Sequence, residues 1–281
     1  MKTHGFLHVL AAFGICLGLL ACTLRPVLSA VATDDAVSVP IFLYHHVTEK
    51  ATYWGRDSIS PAEFEHDLQT LTAYGYTTVH LSQLIDYVEG RGNLPRKAVV
   101  LTFDDGFLNY RDVVVPLLTK YGCCATLAVV GDYADAAETR ETENPNFEYM
   151  TWEEIASLDP RVTEIAYHSY SSHSFTNRNG MKRKWGESDG DYRAYLLEEW
   201  NRFSEKAAAY GISCTVTAYP FGSYSDCSDE ILSSVGMKAT LTCESGVNRL
   251  CRGDDLFGLH RTNRPHGIDS ETFFKKYLSA T

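Results

Sequence analysis

Residues 98–106 of this 281-residue chain read Ala-Val-Val-Leu-Thr-Phe-Asp-Asp-Gly. The apolar and β-branched run predicts a buried strand, and the glycine predicts a turn directly after it. Asp-Asp-Gly alone is usually only a turn. Side chains alternate along a strand, so Asp104 and Asp105 should point in different directions. At the rim of a sheet both can still address one site, with one carboxylate holding a metal and the other acting as a base.

Short strand-like runs alternate with amphipathic stretches on both sides of this segment. The predicted strands are residues 39–44, 77–79, 98–103, 125–130, 164–167, 215–219, 238–242 and 257–261. The predicted helices begin after capping signals at Ser60 and Thr151 and cover residues 82–88, 113–121, 192–210, 228–235 and 271–278. This alternation predicts an α/β fold, a distorted (β/α) barrel of about seven parallel strands.

The stretches between these elements narrow the fold further. No glycine-rich phosphate loop follows the first strand, which weakens a dinucleotide-binding alternative. Residues 133–146 and 177–190 are polar and lack apolar periodicity, so we expect loops on the barrel rim.

The first 32 residues differ from the rest of the chain. Lys2 precedes an uncharged apolar stretch over residues 6–20, a length typical of a secretory signal. Three endings stay open: cleavage after the small residue Ala30 or Ala32, a lipobox that would lipidate Cys22, and an uncleaved membrane anchor. All three predict export to the cell envelope or beyond, with residues 33–281 as the catalytic domain.

The net charge of −11 would repel nucleic acids and anionic membranes. We therefore expect no nucleic-acid partner, membrane contact only through the N-terminal segment, and a monomer. Export would permit disulfide bonds, but their pairing stays open. None of the cysteines beyond the first 32 residues has the CxxC spacing of a zinc ribbon; they are Cys123, Cys124, Cys214, Cys227, Cys243 and Cys251.

Two histidines follow the predicted strand 164–167. His168 and His173 lie five positions apart, which is not one face of a helix, so we expect a loop or a distorted turn. Two imidazoles and one carboxylate suit zinc and leave coordination positions open for water and substrate. Cobalt, nickel or iron would fit the same ligands.

Two further strand ends carry polar or rigid motifs. Tyr44-His45-His46-Val47 offers a histidine that could protonate a leaving amine. The tetrapeptide Tyr219, Pro220, Phe221 and Gly222 forms a rigid turn that could present a backbone N–H to an oxyanion. Each segment by itself is equally consistent with an ordinary rim residue or turn.

Together these residues resemble the polysaccharide deacetylase family, the NodB-like carbohydrate esterases, over about residues 38–265. Residues 102–106 match the family's Thr-Phe-Asp-Asp-Gly motif, which implies that Asp104 is the base and Asp105 a metal ligand beside His168 and His173. The five-residue histidine spacing and the Tyr-His-x-Val segment are similar to the poly-β-1,6-N-acetylglucosamine deacetylase branch. That likeness implies that His45 is the general acid, and residues 219–222 correspond to the family's groove-wall motif.

The chain departs from the family pattern at two places. Many members carry an arginine before the motif proline, where this chain has Thr217-Ala218-Tyr219. The C-terminal Leu-x-His motif is only loosely matched around His260, which competes with His45 as the acid.

The resemblance implies metal-dependent removal of N-acetyl groups from an N-acetylglucosamine polysaccharide: poly-N-acetylglucosamine, peptidoglycan or a chitin-like polymer. The alternatives are an O-acetyl esterase acting on xylan or another glycan, and a non-catalytic glycan-binding surface protein.

Overall fold

The computed structural model describes residues 36–139, 148–176 and 178–278. The predicted export segment, residues 1–32, lies outside the described residues. Among the helices described, none is long and apolar enough to span a membrane.

The described strands alternate with helices for most of the chain. The strands are β1 (Val37–Tyr44), β2 (His46–Val47), β3 (Ser58–Ile59), β4 (Thr77–Thr78), β5 (Ala98–Phe103), β6 (Ala125–Val129), β7 (Thr163–Tyr167), β8 (Val216–Ala218), β9 (Ala239–Leu241), β10 (Val247–Leu250), β11 (Leu256–Leu259) and β12 (Thr262–Asn263). The α-helices are α1 (Pro61–Ala73), α2 (Leu81–Val88), α3 (Val115–Tyr121), α4 (Gly131–Thr139), α5 (Trp152–Ala156), α6 (Asp189–Ala209), α7 (Ser228–Ser234) and α8 (Ser270–Leu278).

Seven neighbouring parallel strands form the main sheet, in the order β1-β5-β6-β7-β8-β9-β11. Strand β12 follows β11 closely along the chain and pairs in parallel with β1, which brings the two ends of the sheet together. The predicted distorted (β/α) barrel is confirmed. The antiparallel strand β10, which pairs with the first half of β1, was not predicted.

The two faces of β5 pack against different layers. Val99, Leu101 and Phe103 belong to one cluster that includes apolar residues of α1, whereas Ala98 and Val100 belong to a second cluster made largely of apolar residues from the other strands. Even-numbered positions of β5 therefore face the barrel interior. The same alternation directs Thr102, and then Asp104, toward the barrel mouth.

Local sequence signals set several helix boundaries. Helix α1 starts at a complete capping box between Ser60 and Glu63, and α5 starts at a second one between Thr151 and Glu154, as predicted.

The prediction of a loop over residues 133–146 is wrong for its first half, which belongs to α4. Small alanines provide much of the buried face of α4, and they contribute little to an apolar periodicity. The second predicted loop, residues 177–190, is confirmed over residues 178–188, whereas residues 189 and 190 begin α6 and residue 177 lies outside the described residues.

The six cysteines within the described residues form no disulfide bond. The cross-links that export would allow are therefore absent from this part of the chain. Burial raises the pKa of the Cys214 thiol to about 12, which keeps it protonated and unreactive.

Candidate active site

The carboxyl ends of four parallel strands meet around one cleft. His45 follows β1, Asp104 and Asp105 follow β5, His168 follows β7, and Phe221 follows β8. A cleft of about 590 Å³ is lined by Leu43, His45, His46, Arg56, Asp57, Ser58, Asp104, Asp105, Phe107, His168, His173, Phe175, Phe221, Cys243 and Asn263. In (β/α) barrels this end of the strands is where chemistry takes place.

Asp105, His168 and His173 converge at the bottom of the cleft. One ligand atom from each lies within 4.8 Å of the others. Asp105 Oδ1 is 3.1 Å from His173 Nε2 and 3.6 Å from His168 Nε2. Among the described residues, this is the one group of three or more such side chains close enough to hold a metal ion.

The second nitrogen of each imidazole is engaged outside the cleft. His168 Nδ1 lies 2.7 Å from the Ala218 carbonyl oxygen. A carbonyl only accepts, so Nδ1 carries the proton and Nε2 presents its lone pair to the cleft. His173 Nδ1 lies 2.9 Å from the Tyr133 hydroxyl, which is also 3.3 Å from the His173 carbonyl. Such partners are typical of metal-bound histidines.

These residues fit a divalent cation. Burial lowers the pKa of His168, which favours the neutral imidazole that a metal requires. Burial alone would raise the pKa of Asp105, but its hydrogen bond with His173 and the neighbouring imidazoles lower it. Burial alone would lower the pKa of His173, but its hydrogen bond with Asp105 raises it, so a bound cation would have to displace that proton. Two neutral imidazoles and an ionised carboxylate would then form a set that binds zinc with positions left open. Tyr133, which orients His173, was missed because it lies in the stretch expected to be a loop.

Backbone strain is concentrated at this site. Of the described residues other than glycine, those with positive φ are Asp105 (77°), Ser169 (72°) and Phe221 (59°). Left-handed backbone is costly for residues with a Cβ atom and is held only where the surrounding structure imposes it. At Asp105 it ends the strand alternation, so that Asp104 and Asp105 both line the cleft.

Asp104 is held by an arginine from the other end of the chain. Arg261 Nη1 donates to Asp104 Oδ1 at 2.7 Å, and Nη2 donates to Oδ2 at 2.9 Å. Burial alone would raise the pKa of Asp104, but the Arg261 charge, followed by His168, outweighs burial and lowers the pKa well below its usual range. Asp104 is therefore ionised and able to accept a proton.

Arg261 is the principal residue that the sequence reasoning missed. It adjoins His260 in the segment considered for the acid, and the motif before Pro220 lacks the arginine of many relatives. The missing arginine could have pointed to Arg261. A buried carboxylate at position 104 needs a cation nearby, and the residue that supplies it in many relatives is absent from this chain. Arg261 supplies it from the turn between β11 and β12.

His45 and His260 lie in different places. Tyr44 pairs with Phe103 across β1 and β5, so that the following residues, His45 and Asp104, are neighbours at the cleft. His45 Nδ1 is buried and makes no hydrogen bond with the described residues. His260 instead lines a separate depression with residues 247–250, 254–255 and 257–259, and it lies near Glu244. This placement favours His45 over His260 as the acid.

The groove-wall motif is only partly exposed to the cleft. Tyr219 is buried, its N–H donates to the Leu241 carbonyl at 3.0 Å, and its hydroxyl donates to Asp229. Tyr219 is thus committed elsewhere, and the expectation that its N–H contacts an oxyanion is wrong. Pro220 is buried as well. Of the four motif residues, Phe221 lines the cleft.

An aromatic surface extends the cleft wall. The Phe221 ring packs on His173 with centroids 4.4 Å apart, and Phe175 stacks on Phe221 at 3.9 Å and 27°. Phe175 is 70% exposed, although a phenyl ring in water is unfavourable. The exposed face of Phe175 is therefore available to an apolar or sugar surface entering the cleft.

Comparison with known proteins agrees with this geometry. The model of the polysaccharide deacetylase family matches residues 91–240, which include Asp104, Asp105, His168 and His173 but not His45. The chain is 25% identical over 243 residues to the poly-β-1,6-N-acetyl-D-glucosamine N-deacetylase of Escherichia coli K12. The match covers 79% of this chain and 36% of that protein, so the chain spans about a third of the relative's length.

Solved structures share the fold. IcaB from Ammonifex degensii superposes with a TM-score of 0.67 at 26% identity, over 82% of this chain and 93% of that one. The Streptococcus pyogenes deacetylase PplD gives a TM-score of 0.68 at 19% identity, over 85% of this chain and 98% of that one.

Proposed function

The chain belongs to the polysaccharide deacetylase family, and we propose that it hydrolyses N-acetyl groups on an N-acetylglucosamine polysaccharide with the help of a divalent metal. One observation carries the proposal: the Asp105, His168 and His173 ligand atoms converge within 4.8 Å in a cleft that Asp104 and His45 also line. The proposed ligands, base and acid are thus separate groups that face the same space.

Asp105, His168 and His173 would hold the metal, with zinc the first choice for this ligand set. A cation there would act as a Lewis acid on the acetyl carbonyl and make water a stronger nucleophile. Asp104 takes the proton of the attacking water, since Arg261 keeps its carboxylate ionised. The Arg261 bonds also fix the carboxylate in one orientation, which a positioned base requires.

His45 completes the hydrolysis as the general acid. The water oxygen bonds to the acetyl carbon, the carbon–nitrogen bond breaks, and the proton on His45 goes to the sugar nitrogen. The products are acetate and a free amine. His45 is suited to this role because it adjoins Asp104 at the strand ends and lines the cleft, whereas His260 does not.

Two observations favour a polymer of N-acetylglucosamine as the substrate. Phe175 and Phe221 form an exposed aromatic surface beside the proposed metal-binding side chains. Aromatic faces pack against the apolar faces of sugar rings. The Escherichia coli relative is named for poly-β-1,6-N-acetyl-D-glucosamine, so a β-1,6-linked polymer is our first choice. Residues 1–32 would direct the enzyme to this substrate by export from the cytosol.

The test is acetate release by the purified protein with zinc present. The substrates are β-1,6-linked and β-1,4-linked N-acetylglucosamine oligomers and acetylated xylan. We expect release from the N-acetylated oligomers, fastest with the β-1,6 linkage. Release from xylan alone would replace the proposal with an O-acetyl esterase. No release from any of the three, with zinc bound, would favour a glycan-binding role.

A further inference from the structure

A buried glutamate on α6 holds the turn between the two histidines. Glu199 Oε2 accepts hydrogen bonds from Tyr170 N (3.2 Å), Ser171 N (2.9 Å) and Ser172 Oγ (2.7 Å), and its Oε1 accepts one from Ser171 Oγ at 2.5 Å. Glu199 is 3% exposed. The carboxylate thus contacts three consecutive residues of the four that separate His168 from His173.

The turn needs such support because its own backbone is strained and irregular. Ser169 has a φ of 72° directly after His168, and residues 168–173 are neither helix nor strand. On the other side of the turn, Gly131 N and Asp132 N donate to the Ser169 and Tyr170 carbonyls at 3.1 and 2.8 Å. The turn is therefore clamped between α4 and α6.

A carboxylate suits the α6 side of this clamp better than an amide. All four partners of Glu199 are donors, two backbone amides and two hydroxyls. Both oxygens of a carboxylate accept, whereas a glutamine of the same shape has one accepting oxygen and an NH₂ group. The two backbone amides cannot accept from that NH₂ group, and the Ser171 hydroxyl could do so only by giving up the bond that it donates. No arginine or lysine contributes to these four bonds, so Glu199 differs from the ion-paired aspartates elsewhere in the described structure.

We infer that Glu199 is a positioning residue, which holds the turn so that His168 and His173 are already spaced for a metal ion. The inference rests on the proposed function, because it assumes that these histidines are ligands. Glu199 does not touch the cleft and acts through the turn. Loss of the clamp lets the strained turn relax, and the two imidazoles then have to be ordered again when a metal binds.

The test is the zinc affinity of the full chain, measured by competition with a chromogenic chelator. In Glu199→Gln we expect zinc binding to weaken about tenfold or more. The matched control is Glu164→Gln on β7, since Glu164 also accepts two backbone N–H bonds and a hydroxyl bond, from Leu81, Ser82 and Thr126. Both variants should lower the Tm of the metal-free protein, but the control should keep zinc affinity within about twofold.

A spectroscopic readout separates positioning from general destabilisation. With Co²⁺ in place of Zn²⁺, Glu199→Gln should change the visible absorption bands, while Glu164→Gln should reproduce those of the original protein. Unchanged zinc affinity and unchanged cobalt bands in folded Glu199→Gln would overturn the inference. A wild-type chain that binds no zinc would refute the proposed metal centre itself, which is a distinct result.

A second variant keeps the inference testable if Glu199→Gln does not fold. Ser171→Ala removes one hydroxyl donor and leaves the carboxylate in place. We expect its zinc affinity to fall about threefold, because part of the clamp is lost. An affinity equal to that of the wild-type chain would overturn the inference.

Discussion

Two arginines near the C-terminal end each hold a buried aspartate, but only one pair faces the cleft. Arg261 binds Asp104 through both terminal nitrogens. Arg264 binds Asp67 of α1 through Nε at 2.9 Å and Nη2 at 3.0 Å. Both ion pairs are almost inaccessible to solvent. The two pairs share their chemistry and degree of burial, so any difference in role must come from their neighbours.

The neighbours of the two aspartates differ in kind. Asp67 also accepts a bond from the Tyr44 hydroxyl at 3.1 Å, and burial raises its pKa despite Arg264. Asp104 lies beside His168, and Arg261 and the imidazoles together overcome burial to lower its pKa. A buried Asp–Arg pair can therefore anchor the fold in one place and keep an aspartate ionised beside a cleft in another.

The largest expected effect is on Asp104. Asp104→Asn keeps the size of the side chain but removes the proton acceptor, so acetate release should fall about 10²- to 10⁴-fold. Zinc content, measured by atomic emission, should stay near one ion per chain. His168→Ala is the matched variant, which should lose zinc as well as turnover. Near-normal turnover in Asp104→Asn would refute its assignment as the base.

Substitution of each arginine by methionine should distinguish the roles of Arg261 and Arg264. Removal of one partner of a buried ion pair costs about 3–5 kcal/mol, so Arg261→Met and Arg264→Met should both lower the free energy of unfolding, measured in urea. Arg261→Met should also reduce kcat of the folded protein about 10- to 100-fold, because Asp104 loses its orientation. Arg264→Met, assayed at a temperature where it is folded, should keep kcat within about threefold.

An equal loss of kcat in both arginine variants would contradict the distinction between them. The central difference, a base on one side and a structural anchor on the other, would then have to be abandoned.

A smaller effect should follow from a change in the aromatic surface formed by Phe175 and Phe221. Phe175→Ala removes the exposed ring beside Phe221 and should raise KM for oligomers about fivefold with little change in kcat, as expected for a group that binds without reacting. Ile268→Ala, a half-exposed apolar residue that does not line the cleft, is the control and should leave both constants unchanged. A fall in kcat alone would contradict a binding role for Phe175.

The smallest effect should come from Glu63, which does not line the cleft. The pKa of Glu63 falls from 4.5 to about 2, because backbone bonds from Gly267 and Ser60, together with His266, outweigh burial. A lowered folded-state pKa stabilises the protein above pH 4.5, and this contribution is lost as the pH falls toward 2. Glu63→Gln should lower Tm by about 2–4 °C at pH 7. A Tm difference that persists at pH 2 would contradict this account.

Much of the site could be predicted from sequence because its residues follow short local patterns. An apolar run followed by Asp104 and Asp105, or by His168, identifies a strand and its end at once. Parallel strands place their ends together, so convergence follows from the barrel prediction. The five-residue histidine spacing excluded one helical face, and residues 168–173 are indeed neither helix nor strand.

The rest depends on contacts between distant positions. Arg261 lies 157 positions from Asp104, and no local pattern connects them. Tyr133 was missed because the small alanines of α4 contribute little to the periodicity of an amphipathic helix. The commitment of the Tyr219 N–H to Leu241 depends on the register between β8 and β9, which the sequence alone does not determine.

The most direct test of the central claim is acetate release from a β-1,6-linked N-acetylglucosamine oligomer by one protein sample in three states: as purified, after chelation, and after zinc is returned. We expect activity in the first state, its loss in the second and its recovery in the third, with Asp104→Asn inactive throughout although it binds zinc. Full activity in the chelated, demonstrably zinc-free protein would contradict a metal centre at Asp105, His168 and His173.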